Sequence, residues 1–348
     1  MSKIYKTQSI DKFIETALYD KNIGYYSKQN PFGKKGDFIT APLISPLFSE
    51  MICIWIISFW IKIGKPKKFS FVELGPGNGA FCKILCKTVK RFPEFEKSVK
   101  IFLLEKSERL IKLQKKLIQN TKITWIKNLN EIKTGPVLFF GNEFFDAIPI
   151  KQLKVEKSKI YEKFIQLNEG KFQKFFFKKA SKKIVKELIK LNLIKKTGII
   201  EYPQIGLKIL KPMVKKINKF KGGILLIDYG YTKSNYEDTL QSVKSHKKNI
   251  YYKNIGKADI TYLVNFELVK QFLTKNKLSS NKVVDQAFFL KRLGIIERAE
   301  ILSKGKSFQE KSDLYYRLER LIGEKKMGKL FKVIFATDKK TKFDLGFK

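Results

Sequence analysis

The sequence is poor in histidine and cysteine, and this shortage excludes several classes of site. It has one histidine and three cysteines among 348 residues. They form no metal-binding pattern, so we expect no metal ion. The odd number of cysteines, at Cys53, Cys82 and Cys86, argues against a disulfide framework and favours a reducing compartment. Cys82 and Cys86 would share one helix face, where a place in the helix core is the simpler interpretation.

Arginine is also scarce, although the formal net charge is +40. The chain has 72 basic and 32 acidic residues, but nearly all of the basic excess is lysine, scattered through every segment. Arginine is the residue that recognises phosphates and base edges with two parallel hydrogen bonds. The composition therefore favours a general coding bias over a specific nucleic-acid surface, and we expect only non-specific polyanion binding at low salt. The arginines are Arg91, Arg109, Arg292, Arg298, Arg317 and Arg320.

Long apolar runs are missing as well. The most apolar stretch, residues 51–61, is much shorter than the ~20 residues that span a bilayer. It predicts a buried helix ahead of the first sheet strand, and we expect no membrane insertion. The first residues show neither a signal region nor an arginine-rich transit pattern, which predicts a cytoplasmic protein. A hydrophobic content of 43% is enough for a substantial core.

The most informative feature that is present is a glycine-rich turn after a short apolar run. Residues 69–74 are rich in strand-forming side chains, and glycines follow at Gly75, Gly77 and Gly79. A helical spacing of apolar residues then begins at Ala80. A strand, a glycine turn and a helix allow a cofactor to lie directly on the main chain, because no Cβ blocks its approach.

Two cofactors fit this turn. Gly75, Gly77 and Ala80 match the dinucleotide pattern with alanine in its last place. The alternative is the acidic glycine loop of class I S-adenosyl-L-methionine (SAM) methyltransferases, which would begin at Glu73 and include Asn78. SAM carries a sulfonium and an ammonium group but no phosphate, so Glu73 suits it better than a pyrophosphate. Either cofactor needs a second acid at the end of the next strand to bind the ribose, and Glu105 stands there.

Strand and helix patterns alternate after residue 66. This order predicts an α/β fold with a parallel, doubly wound sheet of the seven-stranded class I methyltransferase type. We expect an N-terminal helical and lid region over residues 1–66 and a methyltransferase domain over 67–348, with a β-hairpin insertion at about 151–200. Predicted strands are residues 69–74, 101–105, 123–126, 137–141, 222–230, 283–290 and 330–337; predicted helices are 9–19, 80–91, 107–118, 182–193 and 205–220.

Polar residues follow the fourth predicted strand. Asn142, Glu143 and Asp146 lie in the loop that would face the methyl group of a bound cofactor. Two carboxylates beside Phe144 and Phe145 suit a cationic acceptor such as an amine or a guanidinium, and we expect Glu143 and Asp146 to hold it. For Asp146 the alternative is a helix N-terminus, where an acid stabilises the dipole.

Several motifs in a fixed order resemble the MidA-like methyltransferase family, whose mitochondrial member is a complex I assembly factor and a protein arginine methyltransferase. The similarity extends over nearly the whole chain. It implies SAM as cofactor, methyl transfer to arginine of a protein substrate, and a complex I subunit as partner; the oligomeric state stays open. The matching segments are Gly24-Tyr25-Tyr26, Gly36-Asp37-Phe38-Ile39-Thr40, the loop from Glu73 to Gly79, Asn142-Glu143-Phe144-Phe145-Asp146, Ile227-Asp228-Tyr229-Gly230, Thr239-Leu240-Gln241 with His246, Asp259-Ile260-Thr261, and Met327-Gly328.

The resemblance adds weaker candidates and leaves rival functions. It implies that these residues belong to the substrate site or its lid: Asp37, Thr40, Asp228, Tyr229 and His246. A purely structural role stays open for His246, and anchoring of a loop stays open for Asp228. The sequence departs from the family pattern in two places. Residues 41–46 lack an acid and an amide that the family usually has, and Asn265 stands where aspartate is usual. These departures keep open a non-catalytic assembly chaperone that binds SAM. A nucleic-acid methyltransferase rests on charge alone, and an NAD-dependent reductase is a minor alternative.

Overall fold

The computed structural model describes residues 5–29, 40–120, 122–194, 196–233 and 235–348. Its strands are β1 (Tyr5–Ser9), β2 (Phe69–Leu74), β3 (Val99–Leu104), β4 (Ile123–Ile126), β5 (Val137–Asn142), β6 (Lys151–Glu156), β7 (Lys159–Asn168), β8 (Lys171–Lys179), β9 (Gly198–Tyr202), β10 (Gly222–Tyr231), β11 (Gln241–Lys244), β12 (Lys247–Asn249), β13 (Asp259–Thr261), β14 (Val264–Asn265), β15 (Leu278–Ser280), β16 (Val284–Asp285) and β17 (Phe331–Asp338).

The helices of the described residues follow the same chain order. They are α1 (Ile10–Tyr19), α2 (Tyr25–Lys28), α3 (Ala41–Ile44), α4 (Pro46–Lys62), α5 (Ala80–Val89), α6 (Pro93–Ser98), α7 (Glu108–Ile118), α8 (Lys182–Lys190), α9 (Gln204–Phe220), α10 (Phe266–Lys275), α11 (Gln286–Arg292), α12 (Ile295–Ser303), α13 (Phe308–Ile322) and α14 (Met327–Leu330). In this part of the chain, no helix combines the length and apolar character needed to cross a membrane.

The chain folds into two compact units, each built from more than one segment of the sequence. Of the described residues, the first unit contains those within 1–38, 145–210 and 231–272, and the second contains those within 39–144, 211–230 and 273–348. The sequence boundary between residues 66 and 67 stays a prediction about domain organisation.

The second unit contains the predicted doubly wound sheet. Its strand order is β15-β17-β10-β5-β2-β3-β4. The pairs from β4 to β10 are parallel, and β17 closes the sheet antiparallel to β10. Because the order reverses between β2 and β5, this is the point where an open α/β sheet binds ligands. Every residue of β2 is buried, as expected for a central parallel strand.

Most predicted elements of this unit are confirmed, and one is wrong. The apolar stretch at residues 51–61 lies in the buried helix α4, and β2 has the predicted bounds. The strand predicted over residues 283–290 is limited to Val284 and Asp285, which pair with β17. Helix α11 follows, because its buried residues Gln286, Phe289 and Leu290 recur at helical rather than alternating spacing.

The first unit contains the predicted insertion as part of a larger sheet. β6, β7, β8 and β9 are joined by β1, which pairs antiparallel with β7. The β7–β8 turn is formed by Glu169 and Gly170, which both have positive φ, as a tight hairpin requires. A hairpin was therefore correctly predicted, but β1 was missed, because its five residues have too little apolar alternation to indicate a strand.

Candidate functional site

The glycine turn of the second unit has a backbone that only glycine adopts easily. Gly75, Gly77 and Gly79 have φ values of +60°, +56° and +90°. Gly79 ends the turn as the residue before α5, and Asn78 Oδ1 accepts a hydrogen bond from Ala80 N at 3.1 Å. Residues with side chains are strained at such φ values. The sequence therefore selects glycine here for conformation as well as for close approach.

The turn is packed against the end of β5. A Cβ added at Gly75 would lie 2.8 Å from Phe144 Cδ2, closer than carbon atoms approach. Glu143, directly before Phe144, also has a left-handed backbone, with φ of +51°. This strain is held by a hydrogen bond from Glu143 N to Ile227 O at 2.9 Å. A strained residue with a side chain at this position is typical of a functional site.

Glu105 follows β3, as predicted, and its carboxylate is partly occupied. Oε1 accepts hydrogen bonds from Lys106 N and Ser107 N, both at 2.8 Å. Oε2 accepts one from Gln114 Nε2 at 3.2 Å. Burial raises the pKa of Glu105, against the lowering effect of these hydrogen bonds. Since each carboxylate oxygen can accept two hydrogen bonds, Oε2 can take one more, as from a ribose hydroxyl.

Glu73 lies within β2, and its side chain is buried. Oε2 has no hydrogen-bond partner among the residues that the structure describes. Burial, and to a lesser degree Cys86, raises the pKa of Glu73 from 4.5 to about 8. A buried carboxyl oxygen without a partner is costly, and an added cation would favour the ionised form of Glu73. This arrangement suits a positively charged ligand.

Asn142 and Glu143 form the polar end of β5. Asn142 Nδ2 donates to Glu143 Oε1 at 3.1 Å, and Ala41 N donates to the same oxygen at 3.2 Å. Asn142 Oδ1 is buried and has no partner in the described part of the chain. The Glu143 carboxylate is therefore held in place by its own neighbours, while Asn142 keeps an acceptor available for a ligand.

Sequence reasoning missed Gln114, which contacts three of the predicted cofactor residues. Its Nε2 donates to Gly77 O at 2.8 Å and to Glu105 Oε2, and its Cγ would lie 3.4 Å from a Cβ at Gly79. Gln114 is fully buried on α7 between Leu110 and Ile118. A glutamine among the apolar positions of an amphipathic helix is the signal that could have identified it.

The weaker candidates of the second unit have structural roles that are visible. Thr40 lies directly before α3, and its carbonyl accepts hydrogen bonds from Leu43 N and Ile44 N. Asp228 is buried in β10, and its Oδ1 accepts from Tyr229 N at 3.0 Å. Tyr229 packs edge-on against Phe331. Their predicted places in the lid or the substrate site stay predictions.

The other candidates lie in the first unit or outside the described residues. Asp146 is buried, and its carbonyl accepts a hydrogen bond from Tyr262 N at 3.2 Å. His246 is exposed in the turn between β11 and β12, where its φ is +61°. Asp37 lies outside the described residues. The predicted roles of these three residues also stay predictions.

The second unit fits a nucleoside that carries a positive charge. Its glycine turn leaves room at the main chain, Glu105 has capacity for a hydroxyl group, and Glu73 and Asn142 have buried oxygens without described partners. A pyrophosphate would place negative charge beside Glu73, which is unfavourable. Within the described ranges, no cluster of three or more His, Cys, Asp or Glu side chains is arranged for a metal ion.

Comparisons with known proteins support the cofactor class and the fold. Residues 51–284 match a family model described as "Putative S-adenosyl-L-methionine-dependent methyltransferase". The chain is similar to "Protein arginine methyltransferase NDUFAF7, mitochondrial" of Xenopus tropicalis, with 27% identity over 93% of this chain and 81% of the relative. The Mus musculus protein of the same name is 28% identical over 95% of this chain and 81% of the relative.

A solved structure has the same fold. It is a COG1565 superfamily member from Burkholderia thailandensis, bound to S-adenosyl-homocysteine. It aligns with a TM-score of 0.80 and 22% identity, covering 98% of this chain and 90% of that one. The expected α/β methyltransferase architecture is thereby confirmed.

The comparisons correct the expected location. The frog and mouse relatives are named mitochondrial, as is a relative from Caenorhabditis elegans with 29% identity. The cytoplasmic prediction is therefore wrong. That prediction rested on the residue pattern of the first residues alone.

Proposed function

The chain belongs to this family of S-adenosyl-L-methionine-dependent methyltransferases, and from that premise we propose that it methylates an arginine side chain of a protein, with a respiratory complex I subunit as the acceptor. Its cofactor is SAM, which supplies an electrophilic methyl group on a sulfonium. The observation that carries the proposal is the similarity, over more than nine-tenths of the chain, to relatives named protein arginine methyltransferases. Complex I as the source of the acceptor rests on the family resemblance of the sequence motifs.

The described residues suggest how the cofactor is held. Gly75, Gly77 and Gly79 bring the main chain close to it, and Asn78 orders the end of the turn through its bond to Ala80 N. Glu105 Oε2 would accept a hydrogen bond from a ribose hydroxyl. Two further residues, Glu73 and Asn142, offer their buried oxygens to the cationic aminoacyl end, directly or through water.

Glu143 is the candidate for holding the acceptor. A guanidinium group stays protonated at neutral pH and pairs well with a carboxylate. The hydrogen bonds from Asn142 Nδ2 and Ala41 N fix the Glu143 carboxylate before any substrate arrives. A fixed carboxylate would align an acceptor nitrogen with the methyl carbon of bound SAM. It would also accept the proton that this nitrogen loses when the N–C bond forms, the C–S bond breaks and S-adenosylhomocysteine leaves. Asp146, in the other unit, stays the second predicted carboxylate.

The test is transfer of labelled methyl from SAM to purified complex I subunits. Glu143→Gln keeps the size and both hydrogen-bond acceptor contacts at one oxygen but removes the charge. We expect kcat to fall roughly 100-fold, as when one electrostatic contact to a transition state is lost. The affinity for S-adenosylhomocysteine should change little. Glu300→Gln, on the exposed surface of α12, is the matched control.

Three outcomes would overturn the proposal. Equal labelling by the wild type and by Glu143→Gln would remove Glu143 from the reaction. Label found by mass spectrometry on lysine or on nucleic acid would contradict arginine as the acceptor. No labelling by a protein that still binds S-adenosylhomocysteine and the complex I subunit would favour the assembly-chaperone alternative.

A further inference from the structure

Gln114 joins two parts of the cofactor site that are far apart in the sequence. Its side-chain amide contacts the glycine turn after β2 and the acid after β3 with one nitrogen: Nε2 to Gly77 O is 2.8 Å, and Nε2 to Glu105 Oε2 is 3.2 Å. An amide NH₂ group has two hydrogens, so both bonds form at once. The fully buried side chain has no room to exchange these partners for solvent.

Trp125 fixes which way this amide points. Its indole Nε1 donates to Gln114 Oε1 at 2.8 Å. Since an indole nitrogen only donates, the oxygen of the amide must face Trp125, and the NH₂ group must face Gly77 and Glu105. Lys115 Nζ lies 5.3 Å from the centroid of the Trp125 ring and covers it. Every hydrogen-bonding atom of Gln114 is therefore used, and in one orientation.

This bonding pattern also orients the glycine turn. In a trans peptide the C=O and the following N–H point in opposite directions. With Gly77 O directed at Gln114, the Asn78 N–H faces away from it. At the same time, Gln114 occupies one lone pair of Glu105 Oε2 and leaves the other available. The Gln114 side chain thus fixes the orientation of one peptide group of the turn. It also fixes the orientation of the carboxylate that would bind the ribose.

We propose that Gln114, held by Trp125, is a positioning residue that locks the glycine turn and Glu105 into one preformed cofactor site. Gln114 acts on cofactor binding only through the glycine turn and Glu105. The proposal concerns the cofactor side of the site, so it depends on SAM as the cofactor and is independent of arginine as the acceptor. A preformed site binds more tightly because less freedom is lost on binding.

The test uses calorimetric binding of S-adenosylhomocysteine to the full chain. Gln114→Leu removes all three hydrogen bonds at similar volume, and we expect roughly 30-fold weaker binding, because buried partners are left unsatisfied. Trp125→Phe removes only the indole donor and should weaken binding about fivefold. In activity assays, KM for SAM should rise while kcat at saturation changes little. Gln173→Leu, the same change on the exposed strand β8, should have no effect.

Analogues of the ligand separate positioning from loss of fold. In the wild type, the 2′-deoxy or 3′-deoxy analogue of S-adenosylhomocysteine should bind more weakly than the parent ligand. In Gln114→Leu this difference should shrink, because Glu105 is no longer held. Unchanged affinity in Gln114→Leu, or an unchanged penalty for the deoxy analogues, would overturn the proposal. If Gln114→Leu does not fold, the same comparison in Trp125→Phe decides. A wild type that fails to bind S-adenosylhomocysteine would instead contradict the cofactor assignment.

Discussion

Two buried carboxyl groups, one in each unit, have raised pKa values for the same reason but very different surroundings. Burial raises the pKa of Glu201 to about 7, although hydrogen bonds oppose the shift. Its Oε1 accepts from Gln152 Nε2 at 3.1 Å and from Thr239 N at 2.9 Å, and its Oε2 accepts from the Thr239 hydroxyl. Burial raises the pKa of Glu73 to about 8, and its Oε2 has no partner in the described residues.

The difference distinguishes an acid that its own unit satisfies from an acid that we propose binds a ligand. The network around Glu201 continues through Gln152 and Asp238 to Lys163, whose Nζ lies 2.9 Å from Asp238 Oδ2. This network satisfies its own members and stabilises the five-stranded sheet region. Glu73 instead lies at the point where the strand order of the main sheet reverses. A buried group that the fold leaves unsatisfied there indicates that a ligand completes it.

The largest loss of cofactor affinity is expected at one of two glycines, one in each unit. Gly75 and Gly170 have φ values of +60° and +75°, but only a Cβ at Gly75 meets a neighbour, Phe144, whereas Gly170 has open space. Gly75→Ala should weaken S-adenosylhomocysteine binding by roughly 100-fold, since the ring must move and the turn is strained. Gly170→Ala should cost about 1 kcal/mol of unfolding free energy and leave binding unchanged. Calorimetry measures the affinities, and thermal unfolding measures the stabilities. Equal affinities of Gly75→Ala and Gly170→Ala for S-adenosylhomocysteine would contradict a role of the glycine turn in cofactor binding.

Glu73→Gln should distinguish the two buried acids through the pH dependence of the free energy of unfolding. The folded-state pKa of about 8 lies above the ordinary value of 4.5, so the native state holds a proton that the unfolded state releases. The contribution of Glu73 to the free energy of unfolding of the wild type should therefore fall as pH rises from about 4.5 and level off above about 8. The variant lacks this loss and should be more stable at pH 7 by about 3 kcal/mol. It should also bind S-adenosylhomocysteine more weakly.

Chemical unfolding at pH 4, 6, 7 and 9 measures this effect. The advantage of Glu73→Gln over the wild type should be absent at pH 4 and grow to its full size by pH 9. A variant that is less stable than the wild type at pH 7 would show that Glu73 supports the fold. The distinction between the two acids would then be lost.

A substitution in the network around Glu201 should change the cofactor affinity least. Thr239→Val removes the hydroxyl that donates to Glu201 and accepts from Leu263 N at 3.0 Å. Leaving these buried groups unsatisfied should cost about 2 kcal/mol of unfolding free energy. The affinity for S-adenosylhomocysteine should stay within about twofold of the wild type. A binding defect as large as that of Gly75→Ala would show that the network belongs to the cofactor site.

The sequence predicts the parts of this protein that depend on local chemistry. The glycine turn, β2 and the acid at Glu105 are visible because glycine spacing and an apolar run carry their own physical meaning. The change from β16 to α11 was not predicted, because a short, largely apolar segment of eight residues fits either a strand or a helix. Strand β1 was missed because it depends on its partner β7 rather than on its own pattern.

The candidate site was predicted in its residue types but not in its connections. Gln114 and Trp125 lie on a helix and a strand that no motif marks, and only tertiary structure brings them to Gly77 and Glu105. The left-handed backbone of Glu143 is likewise invisible in the sequence, because glutamate rarely adopts it. Patterns of residue types identify which groups a site contains, whereas the bonds that hold them require the fold.

A crystal structure of the protein with S-adenosylhomocysteine tests most directly whether the glycine turn, Glu73 and Asn142 hold the cofactor. We expect the nucleoside on the main chain of residues 75–79, with a ribose hydroxyl on Glu105 Oε2. The buried oxygens of Glu73 and Asn142 should gain partners directly or through water. Density for the nucleoside at another place, with Glu73 and Asn142 unchanged, would contradict this expectation.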